Sequence, residues 1–153
     1  MYDVIPVTTA HPTACGAAAL KMLLAYYNIE ADLDQLATEL NIGVAGCTGN
    51  DIKRVGKAHG LDVRFYKMDA NGVFASDRPL ILWWRRKHFV VFCGMNKKGE
   101  PVICNPSSGQ FPISVDAFKR LFSEYVFSNG NVDDIFPEDY FGENTPTPDY
   151  FEE

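Results

Sequence analysis

At 153 residues, with 46% hydrophobic and 13% aromatic content, the chain has material for one packed domain that needs neither disulfides nor a metal. Its longest apolar runs, 79–84 and 89–95, are strand-length, which excludes a membrane span, and the N-terminus lacks the basic start and apolar core of a signal peptide, so a cytoplasmic protein is expected. Of the 20 acidic residues, eight (Asp133, Asp134, Glu138, Asp139, Glu143, Asp149, Glu152 and Glu153) fall in residues 131–153 together with no Lys or Arg; the body then carries 12 acids against 14 bases, too small a basic excess for a nucleic-acid partner.

The first predicted element is a helix over 15–27, with Leu20, Leu23, Leu24 and Tyr27 in one buried stripe and Asn28 as its stop. A second starts at Asp32, capped through Gln35, and buries Leu33, Leu36, Ala37 and Leu40 before Gly43 and Gly46 break the pattern. Thr48 and Asp51 open a third, which buries Ile52 and Val55 and ends at Gly60.

From Leu61 the period changes to two. Leu61, Val63 and Phe65 alternate with polar neighbours, the runs 79–84 and 89–95 read as central strands, and Asn96-Lys97-Lys98-Gly99 turns the second of them into a partner at 101–105. A further strand is expected near Phe111–Ile113, then a helix capped by Ser114 with Phe118, Leu121 and Phe122 inward, then a last strand at Tyr125–Phe127. Trp83 and Trp84 point to opposite faces, one to the core and one to a partly exposed site. Helices followed by an antiparallel sheet make an α+β domain over 1–130. The tail, 131–153, with isolated aromatics Phe136, Tyr140, Phe141, Tyr150 and Phe151, is expected to be irregular: a linker, or a segment able to fold back on the basic run at 85–87.

Four scattered cysteines and three scattered histidines suggest free thiols and no metal or cofactor. Cys15 stands where the first helix begins, so the positive end of the helix dipole favours its thiolate; a small buried cysteine on an Ala-rich face fits the same residues. Gly16 would let a substrate approach. His88 opens an apolar strand, and the hairpin centred near residue 97 brings residues 88–90 beside 104–106, where Asn105 can orient the imidazole toward Cys15. Arg85, Arg86 and Lys87 could hold an acidic peptide or simply be a solvated strand end. Cys47, Cys93 and Cys104 read as structural thiols, and His59 as a helix-end contact.

Cys15-Gly16-Ala17-Ala18-Ala19-Leu20, then Tyr26-Tyr27, Gly49 to Gly60, His88-Phe89-Val90-Val91 and Asn105-Pro106-Ser107-Ser108-Gly109 resemble, in order and spacing, the C39 and C39-like bacteriocin-leader peptidases across about residues 3–127. The resemblance implies a papain-like cysteine proteinase fold, with N-terminal helices packed on a central antiparallel sheet. It also implies a catalytic Cys15–His88–Asn105 triad without a cofactor, and a peptide or protein substrate cut after small residues such as Gly-Gly. Asn105 stands where the family has Asp. The family's oxyanion-donating Gln, six residues before the cysteine, is Thr9 here; Thr9, His11 and Thr13 can each donate in its place. The alternative implied by that exchange is a catalytically silent peptide-binding module.

Overall fold

The computed structural model describes residues 1–42 and 46–130; Gly43, the expected break after the second helix, and the acidic segment 131–153 lie outside the described residues. Among the described residues five α-helices and six strands follow in order: α1 (Cys15–Tyr26), α2 (Leu33–Glu39), α3 (Gly49–Ala58), β1 (Val63–Lys67), α4 (Ala70–Phe74), β2 (Leu80–Trp84), β3 (His88–Met95), β4 (Pro101–Asn105), β5 (Gly109–Pro112), α5 (Val115–Leu121) and β6 (Phe122–Asn129). Among the described residues no helix is long and apolar enough to cross a membrane.

The helix starts are set by local hydrogen bonds. Asp32 accepts from the Gln35 N–H at 3.0 Å, and Thr48 and Asp51 form a reciprocal capping box, each satisfying an N–H that a helix start leaves unpaired. Ser114 caps α5 through the Ala117 N–H. Asn28 stops α1 in the left-handed region at φ 63°, and Gly60 does so after α3 at φ 97°.

The strands form one antiparallel sheet in the order β1-β6-β2-β3-β4-β5. Alternation gives it two apolar faces. One, carrying Ile81, Trp83, Phe89, Val91, Cys93, Cys104 and Phe127, packs under α1, α2 and α3. The other, carrying Leu82, Trp84, Val90, Phe92, Ile103 and Val126, is covered by Phe118 of α5 and Val73 of α4.

Several expectations change. Helix α1 buries Cys15 through Leu20 and Met22 through Leu24 rather than a single stripe, because it lies between the sheet and α2 and α3. Leu33 is only half-buried. Both tryptophans are 5% exposed, since the second sheet face has a core of its own. Phe122 is the first residue of β6 rather than part of the preceding helix: it pairs with Trp84, and the strand runs on to Asn129. The short α4, capped by Asp69, is too brief for a helical period to reveal.

Gly56 shows how closely α3 sits on the sheet: a Cβ there would collide with Val63 Cγ2 and come within 3.2 Å of Val63 Cβ. Alanine in a helix normally gains up to about 1 kcal/mol over glycine, but overpacking costs about 1–3 kcal/mol. Gly56→Ala is therefore expected to lower the denaturant midpoint, and Gly56→Ala combined with Val63→Ala to recover part of the loss.

Candidate active site

A short 3₁₀ turn, Pro12–Ala14, leads directly into α1, so Cys15 enters the helix already shielded, 7% exposed. Burial pushes its thiol up from the ordinary value, while backbone N–H groups of Phe89, Gly16 and Cys15 itself pull it back. The dipole argument expects the thiolate; desolvation outweighs it, because a helix terminus offers only about half a charge. Gly16 is buried, and the space that its missing Cβ leaves is filled from within, by Cys47 Sγ and the Phe89 ring 3.5 Å away. Its smallness serves packing rather than substrate approach. Cys47 is held protonated, pushed up to about 12 by burial, Cys15 and Asp51.

His88 opens β3 and pairs across to Trp84. Its side chain lines a cleft together with Trp84 and Ile103. Nε2 lies 2.8 Å from Asn105 Oδ1. The same Oδ1 accepts from the Ser107 N–H at 2.9 Å, which fixes which end of the amide faces the histidine. Since Oδ1 can only accept, Nε2 carries the proton and the neutral ring offers the lone pair of Nδ1. Asn105 is held there by the β4–β5 turn: Ser108 N–H donates to its carbonyl, it pairs with Gly109, and Gly109 takes φ 96°. Burial, and then Lys87 and Arg85, push the imidazole below 6.5, while Asn105 raises it. Thiol and imidazole are thus both neutral near pH 7, which suits proton transfer during attack rather than a standing ion pair.

The expected oxyanion residues occupy the strap before α1. The Thr9 N–H donates to the Pro106 carbonyl at 2.8 Å, tying the strap to the turn that holds Asn105. Thr9 Oγ1 accepts from the His11 N–H at 3.2 Å, leaving its hydroxyl proton available. The His11 side chain is exposed.

Arg85 and Arg86 form the tight turn from β2 to β3, closed by the Lys87 N–H on the Trp84 carbonyl at 3.2 Å. Both are left-handed, at φ 54° and 58°, a conformation that usually recruits Asn-Gly and costs other residues about 1–2 kcal/mol each. Bonds from the Arg85 N–H to the Leu121 carbonyl and from the Arg86 N–H to Ser123 Oγ hold it. Beside the turn lies a cleft of about 560 Å³ lined by Trp84, Arg85, His88, Asn105, Phe111 and Leu121, among others. Sequence reading found the polar members and missed Trp84, Phe111 and Leu121; the signal available for Trp84 and Phe111 was strand alternation, while Leu121 enters from the end of α5. Cys15 is not in this lining; it lies on the helical side of the sheet end.

Elsewhere, His59 Nε2 pairs with Glu39 Oε1 at 2.9 Å. Cys93 and Cys104 lie buried with sulfurs 3.1 Å apart, the Cys93 S–H donating and therefore held on. Among the described residues no three His, Cys, Asp or Glu converge as a metal site.

Residues 5–130 match the Peptidase C39 family. The lacticin-481/lactococcin-DR transport/processing ATP-binding protein of Lactococcus lactis subsp. lactis is 25% identical over 119 residues, 74% of this chain but 17% of its own length, so the chain spans less than a fifth of that relative. Among solved structures, a double glycine motif protease from an AMS/PCAT transporter, in complex with the leader peptide, is 26% identical with a TM-score of 0.78, covering 83% of this chain and 91% of its own. The peptidase domain of Streptococcus ComA superposes with a TM-score of 0.73 at 19% identity, covering 83% and 96%, which speaks to fold alone.

If His88 is the proton acceptor, turnover should hold until pH falls below 6.5, because the ring's affinity for protons is depressed. Asn105→Asp adds a carboxylate that favours the imidazolium, so the acid limb of the kcat/KM profile should move to higher pH. An unmoved limb would remove His88–Asn105 from the titration.

Proposed function

Because the chain belongs to the peptidase C39 family and shares its papain-like fold, we propose that residues 1–130 are a cysteine peptidase unit whose working groups are Cys15, His88 and Asn105. The observation that carries the reading is the bond between His88 Nε2 and Asn105 Oδ1, fixed in direction by the Ser107 N–H. It leaves Nδ1 as the base.

In this reading, Cys15 Sγ attacks a peptide carbonyl carbon while its proton passes to His88 Nδ1. The oxyanion is met by the backbone N–H of Cys15 and the Thr9 hydroxyl. Collapse breaks the C–N bond as the imidazolium returns the proton to the departing amine, leaving a thioester. Water then attacks, giving its proton to Nδ1, and the C–S bond breaks to free the acid and restore the thiol. The substrate class follows from the relative: a peptide with a double-glycine-like site, its upstream part lying in the cleft between Trp84, Phe111 and Leu121 with Arg85 at the rim and Arg86 in the adjoining groove.

One observation favours a second reading, a silent peptide-binding module. Cys15 is a buried, protonated thiol outside the cleft lining, and Thr9 offers one short donor where a longer one is expected.

The two part on a single pair of variants. Under the peptidase reading, cleavage of a double-glycine peptide is lost in Cys15→Ala, and Thr9→Gln raises kcat about 10-fold or more, within the roughly 10²–10³ that one oxyanion donor is worth. Absence of any Cys15-dependent product from wild type and Thr9→Gln alike, with peptide binding retained, would establish the silent module.

A further inference from the structure

The run Arg85-Arg86 does not stand alone in the fold. The sheet and α5 bring it beside Lys67 of β1 and Arg120 of α5, so four cations from three parts of the chain line one groove of about 520 Å³ with Leu121, Phe122, Tyr125 and one acid, Glu124. All four side chains are exposed, and among the described residues none of them enters an ion pair. The groove adjoins the His88 cleft, sharing Arg85 and Leu121 with it. A concave site with four cations against one acid focuses its field on anions, and an apolar neighbour adds room for rings.

We propose that this groove is the docking surface for the chain's own acidic segment, centred on Glu138-Asp139-Tyr140-Phe141, which competes there with substrate for the adjoining cleft. Charge complementarity selects the occupant: residues 131–153 hold eight acids and no base, with aromatics set between them. Reach permits it. The groove lies at the Phe122 end of β6, and the chain leaves from the other end, after Asn129. At about 3.3 Å per residue that strand is about 25 Å long, a distance that about eight residues can span, so Glu138 and Asp139 are the first adjacent acids with enough chain before them to meet the cations. Tethering supplies a millimolar effective concentration, enough for a weak ionic contact to be largely occupied at low salt and released as the Debye length shortens.

The docking can be read without any activity. Dilute full-length chain treated with a water-soluble carbodiimide, which condenses a carboxylate with an amine, should link Glu138 or Asp139 to Lys67 or Lys87 within one molecule, and 1 M NaCl should suppress the product several-fold. Arg120→Glu should weaken the same link with its circular dichroism unchanged. Links spread evenly over Lys53, Lys97 and Lys98, or insensitive to salt, would overturn the docking. The competition half rests on the peptidase reading: replacing Glu138 and Asp139 by Gln and Asn should raise kcat/KM on an uncharged peptide several-fold. Unchanged kcat/KM in that variant, while the unsubstituted chain cross-links as expected, would overturn competition and leave the catalytic reading untouched.

Discussion

A helix that is apolar on nearly every side can only lie between layers, and α1 is such a helix. Cys15 through Leu20 and Met22 through Leu24 are all buried, against the sheet below and α2 and α3 alongside. That burial fixes where the helix begins. Its N-terminus comes to the end of the sheet where β3 starts, so the sulfur of Cys15 feels the backbone N–H of Phe89, the residue after His88. It also sets the chemistry of the thiol. Hydrophobic burial gives the helix its place at roughly 25 cal/mol per Å² of apolar surface, and the same loss of water keeps the sulfur protonated. To attack a carbonyl, a thiol buried this way needs a base close by.

His88 is oriented by a turn, not by a charge. Gly109 in a left-handed conformation closes the β4–β5 connection, the connection aims the Ser107 N–H at Asn105, and that one donor decides which atom His88 meets. The strap before α1 is fastened to the same turn by the Thr9 N–H on the Pro106 carbonyl. The arm that carries Cys15 and the turn that carries Asn105 are thus joined at two places, through the core and through the strap.

Much of this was legible beforehand for physical reasons. Caps are local, so Asp32, Thr48 and Ser114 announced three helix starts at the right residues. Antiparallel pairing across a short turn is nearly local too, which is why His88 and Asn105 could be placed together. What sequence could not give depends on distant layers: that Trp84 has a core of its own, that Gly16 is filled by Cys47, and that burial outweighs the dipole at Cys15. The left-handed pair Arg85-Arg86 was illegible because nothing in two arginines asks for a type I′ turn; their anchors, Leu121 and Ser123, are more than thirty positions away. Strain of that kind, held by remote bonds, is common where side chains must be presented rather than packed.

The two tryptophans carry a consequence of another sort. They are neighbours in the chain yet belong to separate apolar layers, Trp83 beneath the N-terminal helices against Phe89 and Trp84 under α5 against Phe118. Each indole is thus a native fluorophore for one layer. A chain keeping only one of them reports, by its emission colour, whether the helical half and the α5 half loosen together or in turn.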